Sequence, residues 1–121
     1  MYKFSKKSKQ ILLELDLNLY IILKEAIEFI DFSVICGYRN KKEQNEAFKT
    51  GKSKAKFGQS KHNVKPAKAV DIAPYPIDWE DIYRFKKLAD LIFKIADKHN
   101  IKIVWGGNFL TFKDWGHFEL K

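Results

Sequence analysis

The sequence predicts an α+β fold, with one small, mainly antiparallel sheet of about four strands flanked by helices, in a single domain over residues 1–121. Three observations predict it. Two long segments space their apolar residues by three and four, the signature of amphipathic helices. Four short runs of strand formers lie among the helical segments, three of them closed by glycine or proline. The last two runs are joined by a short connection, which favours antiparallel neighbours, whereas the helix-bearing connection before them leaves some mixed pairing open.

Residues 5–15 read as a short helix. Residues 17–30, LNLYIILKEAIEFI, follow an Asp16 cap and set Leu19, Leu23, Ala26, Ile27 and Ile30 on one buried stripe. FSVICGY, 32–38, is the first strand and ends at Gly37. NKKEQNEAFKTG is a helix with Asn40 as N-cap, Glu43 three residues on and Gly51 as its stop. Residues 51–68 form a long loop of Lys, Gly, Ser and Pro, of a length that is uncommon unless functional. AVDIAPY, 69–75, is a strand stopped by Pro74 and Pro76. Asp78 is the expected cap of a helix over 79–98, with Ile82, Phe85, Ala89, Ile92, Phe93 and Ala96 as its buried stripe. IKIVWGG, 101–107, and WGHFEL, 115–120, complete the strands.

The 121 residues, 45% hydrophobic and 31% charged, provide for one modest core and exclude a disordered chain. Apolar runs fall far short of the roughly 20 residues that cross a bilayer. The lysines of MYKFSKKSKQ precede an apolar stretch broken by Glu14, Asp16 and Asn18, which argues against a secretory signal. The expectation is a monomer made in the cytoplasm, acting outside the membrane only once something else releases it, and without stable membrane insertion. The single cysteine, Cys36, excludes an internal disulfide and a multi-cysteine metal site; lying in an apolar strand, it reads as a buried, inert thiol. The net charge of +8 calls for an anionic partner. Seven lysines and no acid lie between Lys49 and Lys68, a cationic rim around His62. No nucleic-acid-binding motif accompanies the charge.

Strand parity locates the chemistry. In AVDIAPY, Val70 and Ile72 point one way and Asp71 the other; in WGHFEL, Phe118 and Leu120 oppose His117 and Glu119. If the two strands are neighbours, Asp71 and His117 converge on a polar face, and His62 can fold over from the long loop. Two imidazoles and a carboxylate with an open fourth position are a common catalytic zinc set, although the spacing of nine and then 46 residues is equally that of ordinary loop and strand residues. Asp114 is the preferred base, provided a bulge or turn at 114–116 brings it round past Gly116; Glu119 is the fallback. Arg39, where the first strand gives way to a helix, is the candidate cation for an oxyanion. His99, at a helix C-terminus, reads as a dipole partner or cap.

Gly37-Tyr38-Arg39, Gly58-Gln59-Ser60-Lys61-His62, Ala69-Val70-Asp71-Ile72, Trp105-Gly106-Gly107 and Phe112-Lys113-Asp114-Trp115-Gly116-His117-Phe118-Glu119, in this order, resemble the zinc peptidases that include D-Ala-D-Ala carboxypeptidases and phage L-alanyl-D-glutamate endopeptidases. The motifs span 37–119. The resemblance implies a hedgehog/DD-peptidase-like fold, His62, Asp71 and His117 as Zn2+ ligands, and Asp114 as general base. It further implies Arg39 as the group that stabilises the oxyanion or grips substrate, and Ser60 as a substrate contact. The implied partner is the stem peptide of bacterial peptidoglycan with its anionic cell-wall polymer, and the implied role is that of a phage or prophage endolysin. A D-Ala-D-Ala carboxypeptidase or dipeptidase with the same site, or a non-catalytic wall-binding module of the same fold, would share these motifs. Two departures stand out. The nine-residue gap from His62 to Asp71 is longer than the commoner family pattern, which predicts a detour through Pro66 that shapes one wall of the groove. Gly116 stands where related phage enzymes often have proline.

Overall fold

Short polar side chains start the helices by accepting free backbone N–H groups. The structure, a computed structural model, describes residues 2–121. Ser5 caps α1 (Lys6–Leu12) and Asp16 caps α2 (Leu17–Ala26), each accepting from a backbone N–H of the first turn. Asn40 and Glu43 form the expected capping box of α3 (Lys41–Lys49), and Gly51, at φ 84°, follows its end. The strands are β1 (Phe32–Cys36), β2 (Ala69–Pro74), β3 (Ile103–Trp105) and β4 (His117–Leu120), and α4 (Ile82–Lys98) lies between β2 and β3.

Three helix boundaries differ from expectation. α1 stops at Leu12, short of residue 15. α2 stops at Ala26, and residues 27–30 continue as turns. α4 is capped by Asp81 rather than Asp78, because Asp78 uses its carboxylate on the Glu80 N–H in a turn ahead of the helix.

The sheet order is β1-β2-β4-β3, and every neighbouring pair is antiparallel. β2 and β3 therefore run in the same direction on either side of β4, which is why a helix must connect them. No parallel pairing of strands within the sheet results. One sheet face, carrying Val34, Val70, Ile72 and Phe118, joins Leu19, Ile22 and Leu23 of α2 and Leu88 and Ile92 of α4 in the core. Each such fully buried side chain contributes about 1.5–3 kcal/mol. That face being sealed by helices, the opposite face, with Asp71, His117 and Glu119, is left for chemistry. Among the described residues no helix is long and apolar enough to cross a membrane.

Candidate metal centre

The ladder between β2 and β4 sets Asp71 directly opposite His117. Their flanking residues Val70, Ile72 and Phe118 are anchored in the core, so both polar side chains project from the other face. His117 Nδ1 lies 3.0 Å from Asp71 Oδ1. His62 arrives from a short 3₁₀ turn, Lys61–Asn63, and places its Nε2 3.3 Å from the same oxygen. Two ligand atoms of a tetrahedral site with 2.0–2.1 Å bonds would stand about 3.3 Å apart. Asp114 belongs to the same group: one atom each of Asp71, Asp114 and His117 lie within 4.8 Å of one another.

The histidines are oriented from behind. His62 Nδ1 donates to the Gly37 carbonyl at 2.6 Å. Its Nε2 is therefore the atom turned to Asp71, and it is buried with no hydrogen-bond partner of acceptable geometry. A buried, lone-pair-bearing nitrogen left this way, next to a carboxylate and a second imidazole, fits a metal ion. His117 Nε2 sits 2.7 Å from Glu119 Oε1, which leaves Nδ1 on the Asp71 side. Glu119 also meets Lys61 at 3.5 Å. Its carboxylate is thus occupied in holding His117, and that hydrogen bond keeps its pKa below the ordinary value.

The electrostatics without metal are those of a clamped ion cluster. Burial opposes charge on His62, but the close Asp71 carboxylate and Cys36 outweigh it and raise its pKa to about 10. His117 is likewise opposed by burial and raised to about 9, chiefly by Asp71 and Glu119. Asp71 is also disfavoured by burial, yet the two imidazoles hold it well below the usual carboxylate range. Asp114 moves the other way: burial and the nearby Asp71 charge raise it.

Asp114 reaches this face through a turn, in which His117 N–H donates to the Asp114 carbonyl at 3.2 Å. The Trp105-Gly106-Gly107 element holds that turn. Gly106 accepts the Asp114 N–H at 3.1 Å, and a Cβ on Gly106 would collide with the Asp114 carbonyl oxygen. Trp105 Nε1 donates to the Trp115 carbonyl at 2.8 Å. Gly116 lies against β2, where its carbonyl accepts the Ile72 N–H at 2.9 Å and any Cβ would strike the Ile72 carbonyl oxygen. The glycine at 116 is thus required by close backbone approach.

Arg39 stands beside the cluster, with one guanidinium nitrogen 3.2 Å from Asp71 Oδ2 and the other 3.4 Å from Gln44 Oε1. Ser60 caps the 3₁₀ turn, its hydroxyl oxygen accepting the His62 N–H at 3.1 Å, and it lines a cavity of about 410 Å³ together with Lys54, Asp114 and His117. His99 lies away from the centre and is the C-cap of α4, as expected, its backbone N–H donating to the Ile95 carbonyl at 3.1 Å; its ring Nε2 also lies 2.9 Å from a Glu25 carboxylate oxygen.

Three features were not anticipated. Cys36 is neither buried nor remote: it is half-exposed, and one atom each of Cys36, His62 and Asp71 lie within 4.8 Å of one another. A register shift between Val34 and Cys36 sets Cys36 opposite Asp71, and this irregularity breaks the alternation that would have turned it inward. Second, the long loop is fastened by buried amides. Gln44 Nε2 donates to Ser53 Oγ and the Ala55 carbonyl at 2.9 and 2.7 Å. Asn63 donates to Gln44 Oε1 at 3.1 Å and accepts from the backbone of Gly58 and Ser60. Third, the Pro66 detour does not wall the groove. Ala67 is tied to Glu14 and Asp16 by backbone hydrogen bonds of 2.9 Å, behind the site, and the wall comes from residues 52–55 and 59–62.

The model of the phage L-alanyl-D-glutamate peptidase family matches residues 1–119. The peptidoglycan L-alanyl-D-glutamate endopeptidase CwlK of Bacillus subtilis (strain 168) is 30% identical over 104 residues, covering 75% of this chain and 61% of CwlK. The chain therefore spans about three fifths of the length of that relative. The crystal structure of the Serratia marcescens L-Ala D-Glu endopeptidase ChiX superimposes with a TM-score of 0.84 at 26% identity, over 98% of this chain and 90% of ChiX. With a family match that runs nearly end to end and a shared fold, the chain belongs to the phage L-alanyl-D-glutamate peptidase family.

Proposed function

We propose that this chain is a zinc-dependent endopeptidase that hydrolyses the L-alanyl-D-glutamate bond of peptidoglycan stem peptides, as a phage or prophage endolysin. The observation that carries this is the convergence of His62 Nε2 and His117 Nδ1 on one oxygen of Asp71, beside Asp114. His62, Asp71 and His117 would hold the ion, and three protein ligands leave a position open for water or substrate. Zinc, when bound, supplies a water with a pKa of about 7 and a Lewis acid for the scissile carbonyl.

The chain's own residues do the rest. Asp114, beside Asp71 and His117, takes the proton of the attacking water and passes it to the leaving amine. Arg39 offers a guanidinium to the negative charge that develops on the carbonyl oxygen. Ser60 contacts substrate from the cavity wall while its hydroxyl oxygen holds the His62 backbone. Glu119 is a positioning residue for His117, not the base. The lysines around His62 draw the anionic wall polymer, an attraction that weakens as salt rises. The enzyme acts as a monomer, made in the cytoplasm and reaching the wall at lysis.

Digestion of purified peptidoglycan tests the proposal. The expected result is a new D-Glu amino terminus, about one zinc per chain, and activity that is lost in chelator and restored by zinc. Released D-Ala would make it a carboxypeptidase instead. Binding to wall without any cleavage would make it a binding module. Full activity in chelator would overturn the mechanism.

A further inference from the structure

A second cavity, of about 930 Å³, opens on the other side of the centre and meets the first at Arg39, Lys52 and Asp114. The two differ in chemistry. The smaller is lined by Lys52, Lys54 and Lys61. The larger is lined by Trp79, Ile35 and two acids of α3, Glu43 and Glu46, with Arg39, Lys42 and Lys52 along its edge. Trp79 is 57% exposed, although tryptophan usually hides most of its surface. It is not loose: its ring stacks on the buried Phe85 with centroids 5.6 Å apart and planes 23° apart. One face of the indole is therefore backed by the core, and the ring borders the cavity beside the catalytic groups.

An apolar aromatic plate beside hydrogen-bond-accepting carboxylates is a surface that fits a sugar ring. The C–H face of the sugar packs on the indole, and its hydroxyl and amide N–H groups donate to the acids. The volume lies within the range of small-molecule sites. The substrate's covalent chemistry requires such a neighbour. In peptidoglycan the L-Ala of the stem is joined directly to the lactyl group of a muramic acid residue, so a sugar lies one residue from the L-Ala–D-Glu bond. On the other side of that bond, D-Glu carries a carboxylate outside the peptide chain. A D-Ala-D-Ala bond, farther down the stem, would leave the sugar beyond reach.

We propose that the Trp79 cavity is a sugar subsite. The N-acetylmuramoyl ring rests on the exposed face of Trp79, Glu43 and Glu46 accept from its polar groups, and the D-Glu carboxylate extends to the lysine-lined cavity. This rests on the L-alanyl-D-glutamate reading above.

Two measurements decide it. The first compares a muramoyl stem tetrapeptide with the same tetrapeptide N-acetylated at L-Ala. The wild type should cleave the muramoyl form with a kcat/KM about tenfold higher, mostly through KM. Trp79→Ala should erase that advantage and leave the acetylated peptide within about twofold of wild type, and Trp79→Phe should keep most of it. Equal wild-type rates on the two substrates, or equal losses on both in Trp79→Ala, would overturn the subsite. The second titrates the folded wild type with N-acetylmuramoyl-L-alanine and follows the Trp79 indole N–H in nitrogen-15 NMR, assigned by its absence in Trp79→Phe. The signal should move with this ligand and stay with N-acetyl-L-alanine; an unmoved signal would overturn the subsite. This titration needs no turnover, so it separates failure of the subsite from failure of the bond assignment.

Discussion

The centre is built from two halves that are held by different means. Asp71 and His117 stand on adjacent strands, directly paired, with the core residues Val70 and Ile72 on either side of Asp71 and Phe118 next to His117. Their positions follow from ladder hydrogen bonds and from a face that cannot leave the core. His62 and Ser60 come from a long segment whose only regular structure is a 3₁₀ turn. There the ladder's work is done by two side-chain amides, Gln44 and Asn63, both buried and both fully engaged. A functional loop can thus be made as definite as a strand, but at the cost of exposing the arrangement to single side-chain losses, since buried polar networks hold only when every member is satisfied.

The largest expected effects come from the point where the halves meet. Asp71 is touched by His117 from the sheet, by His62 from the loop and by Arg39. Asp71→Ala should leave the purified protein without stoichiometric zinc and without detectable wall cleavage, while far-UV circular dichroism stays native. Retained zinc would show that the two halves bind metal independently. Asp114→Asn is the next largest: kcat should fall by about 10²–10⁴-fold with zinc content unchanged. Undiminished turnover in that variant would remove Asp114 from the role of base.

The contrast between halves is sharpened by a matched pair. Gln44→Ala strips partners from Ser53, Ala55 and Asn63, and should cost about 1–3 kcal/mol in urea unfolding while weakening zinc binding through the loop. Glu119→Ala removes the anchor of His117 from an already rigid strand. It should lower zinc affinity by about 10–100-fold with a smaller loss of stability. A reversed pattern, with the strand variant unfolding and the loop variant neutral, would undo the distinction.

The same division governs what the sequence could reveal. Alternation in 69–75 and 115–120 orients Asp71 and His117 because a strand's period is two and its apolar residues declare the core side. The capping box at Asn40 and Glu43 is equally local, and so equally legible. Cys36 was misread because the same alternation fails at a register shift, which depends on the partner strand. Asp78 and Asp81 are both good caps in sequence, and only the turn at Glu80 decides between them. The Gln44–Asn63 contact joins residues 19 apart in sequence through a hydrogen bond that no periodicity signals. Gln44 on a helix otherwise free of buried polar groups carried no mark in the chain. The contact of His99 with Glu25, 74 residues away, was invisible for the same reason.

The last effect is one of pH, and it compares the halves through their histidines. In metal-free protein His62 and His117 are raised from 6.5 to about 10 and about 9. A histidine raised on folding stabilises the fold fully below its unfolded pKa and loses that contribution as pH climbs through the folded value. Asp71, depressed on folding, contributes above its unfolded value of 3.8 and loses that contribution as the pH falls through its folded value. Metal-free protein should therefore be most stable from about pH 4 to 6.5 and should weaken steadily toward pH 10. Zinc requires both imidazoles neutral, so it replaces the protons whose loss causes that decline. The rise in Tm on adding zinc should then grow from pH 6 to pH 9, measured by thermal melts in chelator and in zinc across a pH series. His117→Ala and His62→Ala should each flatten the metal-free curve.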